Sequence, residues 1–239
     1  MPFEMSQSRK AWSVLIVSTL AFTVCFMVWM MFGVIGIPIR KMLNLNATQF
    51  GLLMATPVLT GSLIRVPLGI WTDRFGGRVV MAVLMGLTVP AIWLMSYATA
   101  YWHFLTIGLF VGLAGGSFSV GTPYVARWFP KKRQGMAMGV YGAGNSGSAV
   151  NKFVAPVLLV AFGWAMVPQV YAAIMLGTLV LFLMFSHSDP THLVSNQVSF
   201  KDQLKALKDP KGDQVLPVLQ HCVRWLCGPL ALDGAVLRG

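Results

Sequence analysis

Arg65 stands inside the apolar run GSLIRVPLGIW, residues 61–71. An arginine within a membrane segment costs roughly 2.5–3.5 kcal/mol on insertion scales, so it is usually kept to meet an anion or a counter-charge. Snorkelling is the other reading: Asp73 opens a charged turn eight residues on, roughly 12 Å along a helix, and a guanidinium can reach out to such a boundary. In that turn, Asp73-Arg74-Phe75-Gly76-Gly77-Arg78, the glycines admit the positive φ of a tight bend. Asp73 can cap a helix end or pair with Arg74 or Arg78. Further along, MGVYGAGNSGSAVNKFVAPVL (138–158) places Asn145 among small residues. An amide in hydrocarbon needs partners, and the glycines beside it leave room for a ligand. Gly135 with Gly139, and Ala143 with Gly147, are small-xxx-small pairs that let helix backbones approach. Lys152, deeper in the same stretch, can snorkel, pair with a carboxylate or carry protons. No Asp or Glu lies in any apolar segment, so the reading is ion coupling by Lys152 itself, or added positive potential along a pathway.

The elements that must hold these residues are membrane helices. The chain has 239 residues, 56% hydrophobic and 10% charged, where a soluble domain carries about 25% charged residues. Mean hydropathy is +0.69. A spanning helix needs about 20 apolar residues, and six segments qualify, near 11–36, 48–71, 79–99, 102–126, 135–160 and 165–187. Strand-like alternation is absent, which argues against a β-barrel. The run from Ala11 to Ile39 far exceeds a signal-peptide core, so no cleavable signal is expected. Net charge is +11, but the basic residues fall between apolar segments, which fits membrane orientation and not nucleic-acid binding. Arg9 and Lys10, then Arg74 and Arg78, then Arg127, Lys131, Lys132 and Arg133 occupy alternate links, placing both ends of a six-helix unit in the cytoplasm. Arg40 and Lys41 are the exception.

The expected organisation is a cytoplasmic N-terminus (1–10), a six-helix domain (11–187), a cytoplasmic loop (188–213) and an irregular tail (214–239). In the loop, Phe200, Leu204 and Leu207 share one face, which reads as a short amphipathic surface helix or as a solvated linker. The tail, with two prolines and scattered charge, reads as a shifted frame or a truncation. Cys25 reads as inert packing, and Cys222 and Cys227 form no metal or disulfide pattern. His103 and His187 read as interfacial belt residues. There is no phosphate loop, metal cluster or nucleophile–base spacing. GAGNSG lacks the strand that a dinucleotide fingerprint requires. Neither an enzyme nor a cofactor is expected.

Two motifs carry a resemblance. GIWTDRFGGR, through Gly69, Asp73, Arg74, Gly76 and Arg78, resembles the G-x-x-x-D-R-x-G-R-R/K signature of the major facilitator superfamily, with Gly77 as an extra residue. GAGNSG, together with the preceding GLAGGSFSVGTPYVARWFPKKRQGMAMG, resembles the nitrate signature region of the nitrate/nitrite porter family; the likeness spans roughly residues 10–210. It implies an all-α integral membrane fold, the N-terminal half of a major facilitator transporter, with the first motif serving gating and packing. It implies substrate contact by Arg65, whose planar guanidinium suits a planar oxyanion. Phe118, which alone reads as helix packing, would sandwich nitrate. Asn145 would donate to a nitrate oxygen or order the site, within a signature that includes Gly142, Gly144 and Gly147. The family's second substrate arginine belongs to the other half. The expectation is therefore half of a nitrate and/or nitrite porter, working by alternating access in a bacterial plasma membrane with a C-terminal six-helix half or a second copy. The alternatives are a non-transporting half-module or remnant, and a porter for another anion.

Overall fold

The computed structural model of the protein describes residues 2–188, which fall within one compact unit, Met1–Ser195. The predicted loop beyond Ser188, its surface helix, Cys222, Cys227 and the tail lie outside the described residues. Ten helices form six rods, and no strand occurs among the described residues. The first rod is α1 (Pro2–Trp29) and α2 (Phe32–Met42). The second is α3 (Ala47–Leu63) and α4 (Arg65–Phe75), and the third is α5 (Gly77–Met95). The fourth joins α6 (Tyr101–Gly112) to α7 (Ser117–Ala126) through a 3₁₀ turn at Leu113–Gly116. The fifth joins α8 (Lys131–Gly142) to α9 (Gly147–Phe162) through a 3₁₀ turn at Ala143–Ser146. The sixth is α10 (Met166–Phe185).

These rods match the six predicted segments, with differences at their ends. The first runs on through Pro38 to Met42, so the expected linker at 37–47 shrinks to Leu43–Asn46. There Asn46 accepts from the Gln49 backbone N–H at 2.8 Å and its own N–H donates to the Gln49 side chain at 3.2 Å, a reciprocal cap that fixes where α3 starts. By length and hydropathy five rods can cross a membrane; α8–α9 is not among them. Its glycines, Asn145, Asn151 and Lys152 dilute its apolar content, yet it packs in the same bundle against α1, α7 and α10.

The first rod is central, touching the fourth, fifth and sixth, while α5 lies between α6 and α10. Five contacts gather the chain's reversals at one end. Ser13 donates to the Phe185 carbonyl at 3.0 Å. Arg78 donates to Ser186 Oγ at 3.0 Å and to the Leu183 carbonyl at 2.8 Å. Arg127 meets Asp73 at 2.6 Å. Tyr124 donates to the His187 carbonyl at 2.6 Å. The N-terminal part of α1 and the end of α10 therefore lie at the same end of the bundle, as an even number of passes requires.

Candidate anion pathway on the broken helices

Four of the six rods are interrupted midway, and the interruptions converge on α1. The 3₁₀ turn at Leu113–Gly116 packs on α1 and α3, and the one at Ala143–Ser146 packs on α1. Broken helices at membrane depth are tolerated where they line a cavity, and they place backbone groups and side chains at the midplane.

Trp29 organises this region. Its indole Nε1 donates to the Pro57 carbonyl at 3.0 Å. It is wedged between Gly61 and Gly115, where a Cβ would stand 2.8 Å and 2.7 Å from the ring. The guanidinium of Arg65, the first residue of α4, lies 6.0 Å from the Trp29 ring centroid, the outer range of a cation–π contact. Phe26 follows Trp29 at 5.3 Å and Phe22 follows Phe26 at 5.7 Å. Phe22 contacts Phe118 at 5.5 Å and stacks on Tyr141 at 5.0 Å. Arg65 and Phe118 thus stand at the two ends of one run of aromatic contacts. Both are exposed, Phe118 by 40%. Arg65 has no ion pair among the described residues.

The structure corrects several expectations about the signature. Asn145 is exposed, and its Nδ2 donates to the Gly142 carbonyl of its own chain at 3.0 Å, bonding a group at the 3₁₀ break. The room beside it is not all free: a Cβ on Gly144 would strike Phe22, and one on Gly147 would strike the Thr23 carbonyl. Those two glycines seat the turn on α1, while Gly142 faces open space. Gly135 and Gly139 also have open space, so their pair draws no helix in within this bundle. In the first motif, Asp73 pairs with Arg127 on the fourth rod and not with Arg74 or Arg78. Arg74 lies 5.4 Å from the Phe75 ring. Only Gly76 takes a positive φ, at 86°. Gly77 begins α5, and a side chain there would collide with Tyr124. Gly69 has nothing within 4 Å. Lys152 is exposed, with no ion pair among the described residues. Cys25 is buried. His187 is half-buried beside Trp128, at 6.2 Å between rings; His103 is exposed.

Trp29, Phe26, Phe22 and Tyr141, and the buried Asn151, were not singled out from the sequence. Asn151 Nδ2 donates to the Met30 carbonyl at 2.9 Å, at the break of the first rod, and its Oδ1 accepts from Tyr171 at 2.8 Å. The available signal for Trp29 was the glycines facing it on two other helices.

The family model of the Major Facilitator Superfamily matches residues 17–234. The chain belongs to that superfamily, a family of transporters, and is a multi-pass membrane protein. It is 43% identical over 174 residues to a probable nitrate/nitrite antiporter of Thermus thermophilus, covering 68% of this chain and 39% of that one. It is 35% identical over 182 residues to a nitrite extrusion protein of Bacillus subtilis (strain 168), covering 76% and 45%. The chain thus spans less than half the length of either relative. A bacterial homologue of the human lysosomal transporter Spinster, solved inward-facing and unoccupied, superposes with a TM-score of 0.69 at 18% identity, over 76% of this chain and 44% of that one. That likeness shows the fold alone.

Proposed function

We propose that the chain supplies the N-terminal half of a nitrate and/or nitrite porter of a bacterial plasma membrane, working by alternating access. The observation that carries this reading is Arg65: a permanent cation at a helix junction in an apolar rod, held beside Trp29 and lacking a counter-charge among the described residues. A guanidinium so placed offers paired hydrogen bonds to a planar oxyanion, and Phe118, stacked on Tyr141 and tilted against Phe22 but still exposed, offers a flat face for it. The names of the two relatives point to the same anions. Asn145 follows Gly144, which packs against Phe22 in the aromatic run, and its Oδ1 accepts no hydrogen bond among the described residues. The exposed signature residues and the open Gly69, Gly135, Gly139 and Gly142 support a covering partner, a C-terminal six-helix half. The bundle end that gathers Arg9, Lys10, Arg74, Arg78 and the basic 127–133 link is then cytoplasmic. At that end the Asp73–Arg127 pair and the Arg78 contacts hold the rods together as a gate. Lys152 adds positive potential along the pathway.

The test is nitrate accumulation in cells lacking nitrate uptake, with the chain expressed alone and with a C-terminal half. Uptake only with the partner, abolished by Arg65→Ala, supports the reading. Uptake by the chain alone would mean two copies form the pathway. Confirmed membrane insertion without uptake would overturn it, and competition by bulky organic acids would point to another anion.

A further inference from the structure

A basic concavity lies at the end of the bundle opposite the Asp73–Arg127 pair. α2 carries Arg40 and Lys41 in its last turn. The Leu43 N–H donates to the Ile39 carbonyl at 3.0 Å and the Leu45 N–H reaches back to the Arg40 carbonyl at 3.1 Å, with Asn44 between them at φ 49°. This left-handed residue closes the helix and curls the chain around an open bowl. The bowl has a volume of about 400 Å³ and is lined by Ile37, Arg40, Lys41, Asn44 and Leu45. Leu45 is buried, whereas Arg40, Lys41 and Asn44 are exposed. The Arg40 guanidinium is steadied 5.2 Å from the Phe50 ring centroid on α3.

Nothing in the described protein neutralises this pair. Between residues 8 and 188 the sole carboxylate side chain is Asp73, which is engaged by Arg127 at the other end. The carbonyls of the last turn, which ordinarily attract cations, include those of Ile39 and Arg40, already taken by backbone N–H groups. These two are also the basic residues that break the charge pattern of the links. Two uncompensated cations and an amide around a small concavity raise the local concentration of anions.

We propose that this bowl binds a small singly charged inorganic anion and, given the transport reading above, loads the pathway that Arg65 serves. The same chemistry fits a free anion or a lipid phosphodiester. The test is the line width of the chloride NMR signal with the purified full chain in neutral detergent. Broadening that nitrate reverses, that Arg40→Gln/Lys41→Gln largely removes and that Arg65→Gln leaves in place supports the site. Both exposed substitutions should leave the helical circular dichroism unchanged. Broadening by the double variant equal to the parent's overturns the proposal. Repeating the titration in bilayer discs assigns the source. Broadening that survives added phosphatidylglycerol supports a free anion; broadening abolished by it means that lipid phosphate fills the bowl, which overturns the loading role. The transport reading fails separately, through uptake that is insensitive to Arg65→Ala, and that result leaves the chloride measurement standing.

Discussion

Arg65 was legible in the sequence because a charge in an apolar run is expensive, but what holds it was not. An aromatic residue in an apolar helix looks the same whether it packs at random or braces a cation. Trp29 stands out only once Gly61 and Gly115 are seen against its indole. Replacing Trp29 with Phe removes the hydrogen bond to the Pro57 carbonyl, worth about 0.5–1.5 kcal/mol, and loosens the support beneath Arg65. With a partner half present, the expected result is a raised KM for nitrate with maximal rate largely kept. An unchanged KM would remove Trp29 from the site. Arg65→Lys keeps the charge but loses the planar fork, a loss of about 1.5–3 kcal/mol, or roughly 10- to 150-fold in KM. Asn151 escaped notice because its neighbour Lys152 carries the charge, yet it is Asn151 that is buried and bonded on both sides. Asn151→Leu leaves the Tyr171 hydroxyl without its acceptor and the Met30 carbonyl without its side-chain donor. The expected cost is about 1–3 kcal/mol, read as a lower midpoint of thermal unfolding in detergent.

At the scale of elements, the signature on the fifth rod divides into glycines that seat a helix and glycines that do not. Spacing alone could not make that division, since Gly142, Gly144 and Gly147 are equally small and only the position of α1 separates them. Gly147→Ala drives a methyl group into the Thr23 carbonyl; overpacking of this kind costs about 1–3 kcal/mol, because neither backbone can yield. Gly142→Ala meets open space within the described residues and should leave the unfolding midpoint level or slightly higher, by the helix propensity gained. Equal loss in the two variants would mean that the turn at Ala143–Ser146 is not seated on α1 as described. The charged motif shows the same limit of sequence reading. Its residue types announce a turn, but Asp73 finds its partner 54 positions away, on the fourth rod. With Asp73 half exposed, that pair is worth about 0–1 kcal/mol. A double-mutant cycle on Asp73→Asn and Arg127→Gln should return a coupling in that range, and a larger value would mean that the pair is shielded from solvent in the assembled protein.

For the whole molecule, six rods were readable because hydrocarbon thickness dictates their length. The fifth, diluted by Gly, Asn and Lys, falls short of the other five in hydropathy, and its place in the bundle is seen only from its packing against α1, α7 and α10. Their arrangement around α1 was not readable, since every rod has some apolar face and composition does not say which faces meet protein. The structure does: Phe118, Asn145 and Arg65 are exposed, as are Gly135 and Gly139 on α8, while Gly69 on α4 is half-buried with nothing within 4 Å. If a second six-helix half covers that face, a bulky residue on it should harm assembly and spare the fold. Gly139→Leu is the test, because Gly139 has nothing within 4 Å and leucine is a far better helix former than glycine, by nearly 1 kcal/mol. The chain carrying it should unfold at the same temperature as its parent or slightly higher, while co-purifying poorly with a tagged C-terminal half. Full co-purification would place α8 outside the interface and direct attention to Gly69 on α4. A lowered unfolding temperature in the chain on its own would instead mean that the space beside Gly139 is filled by this chain itself, and the covering half would lose one of its supports.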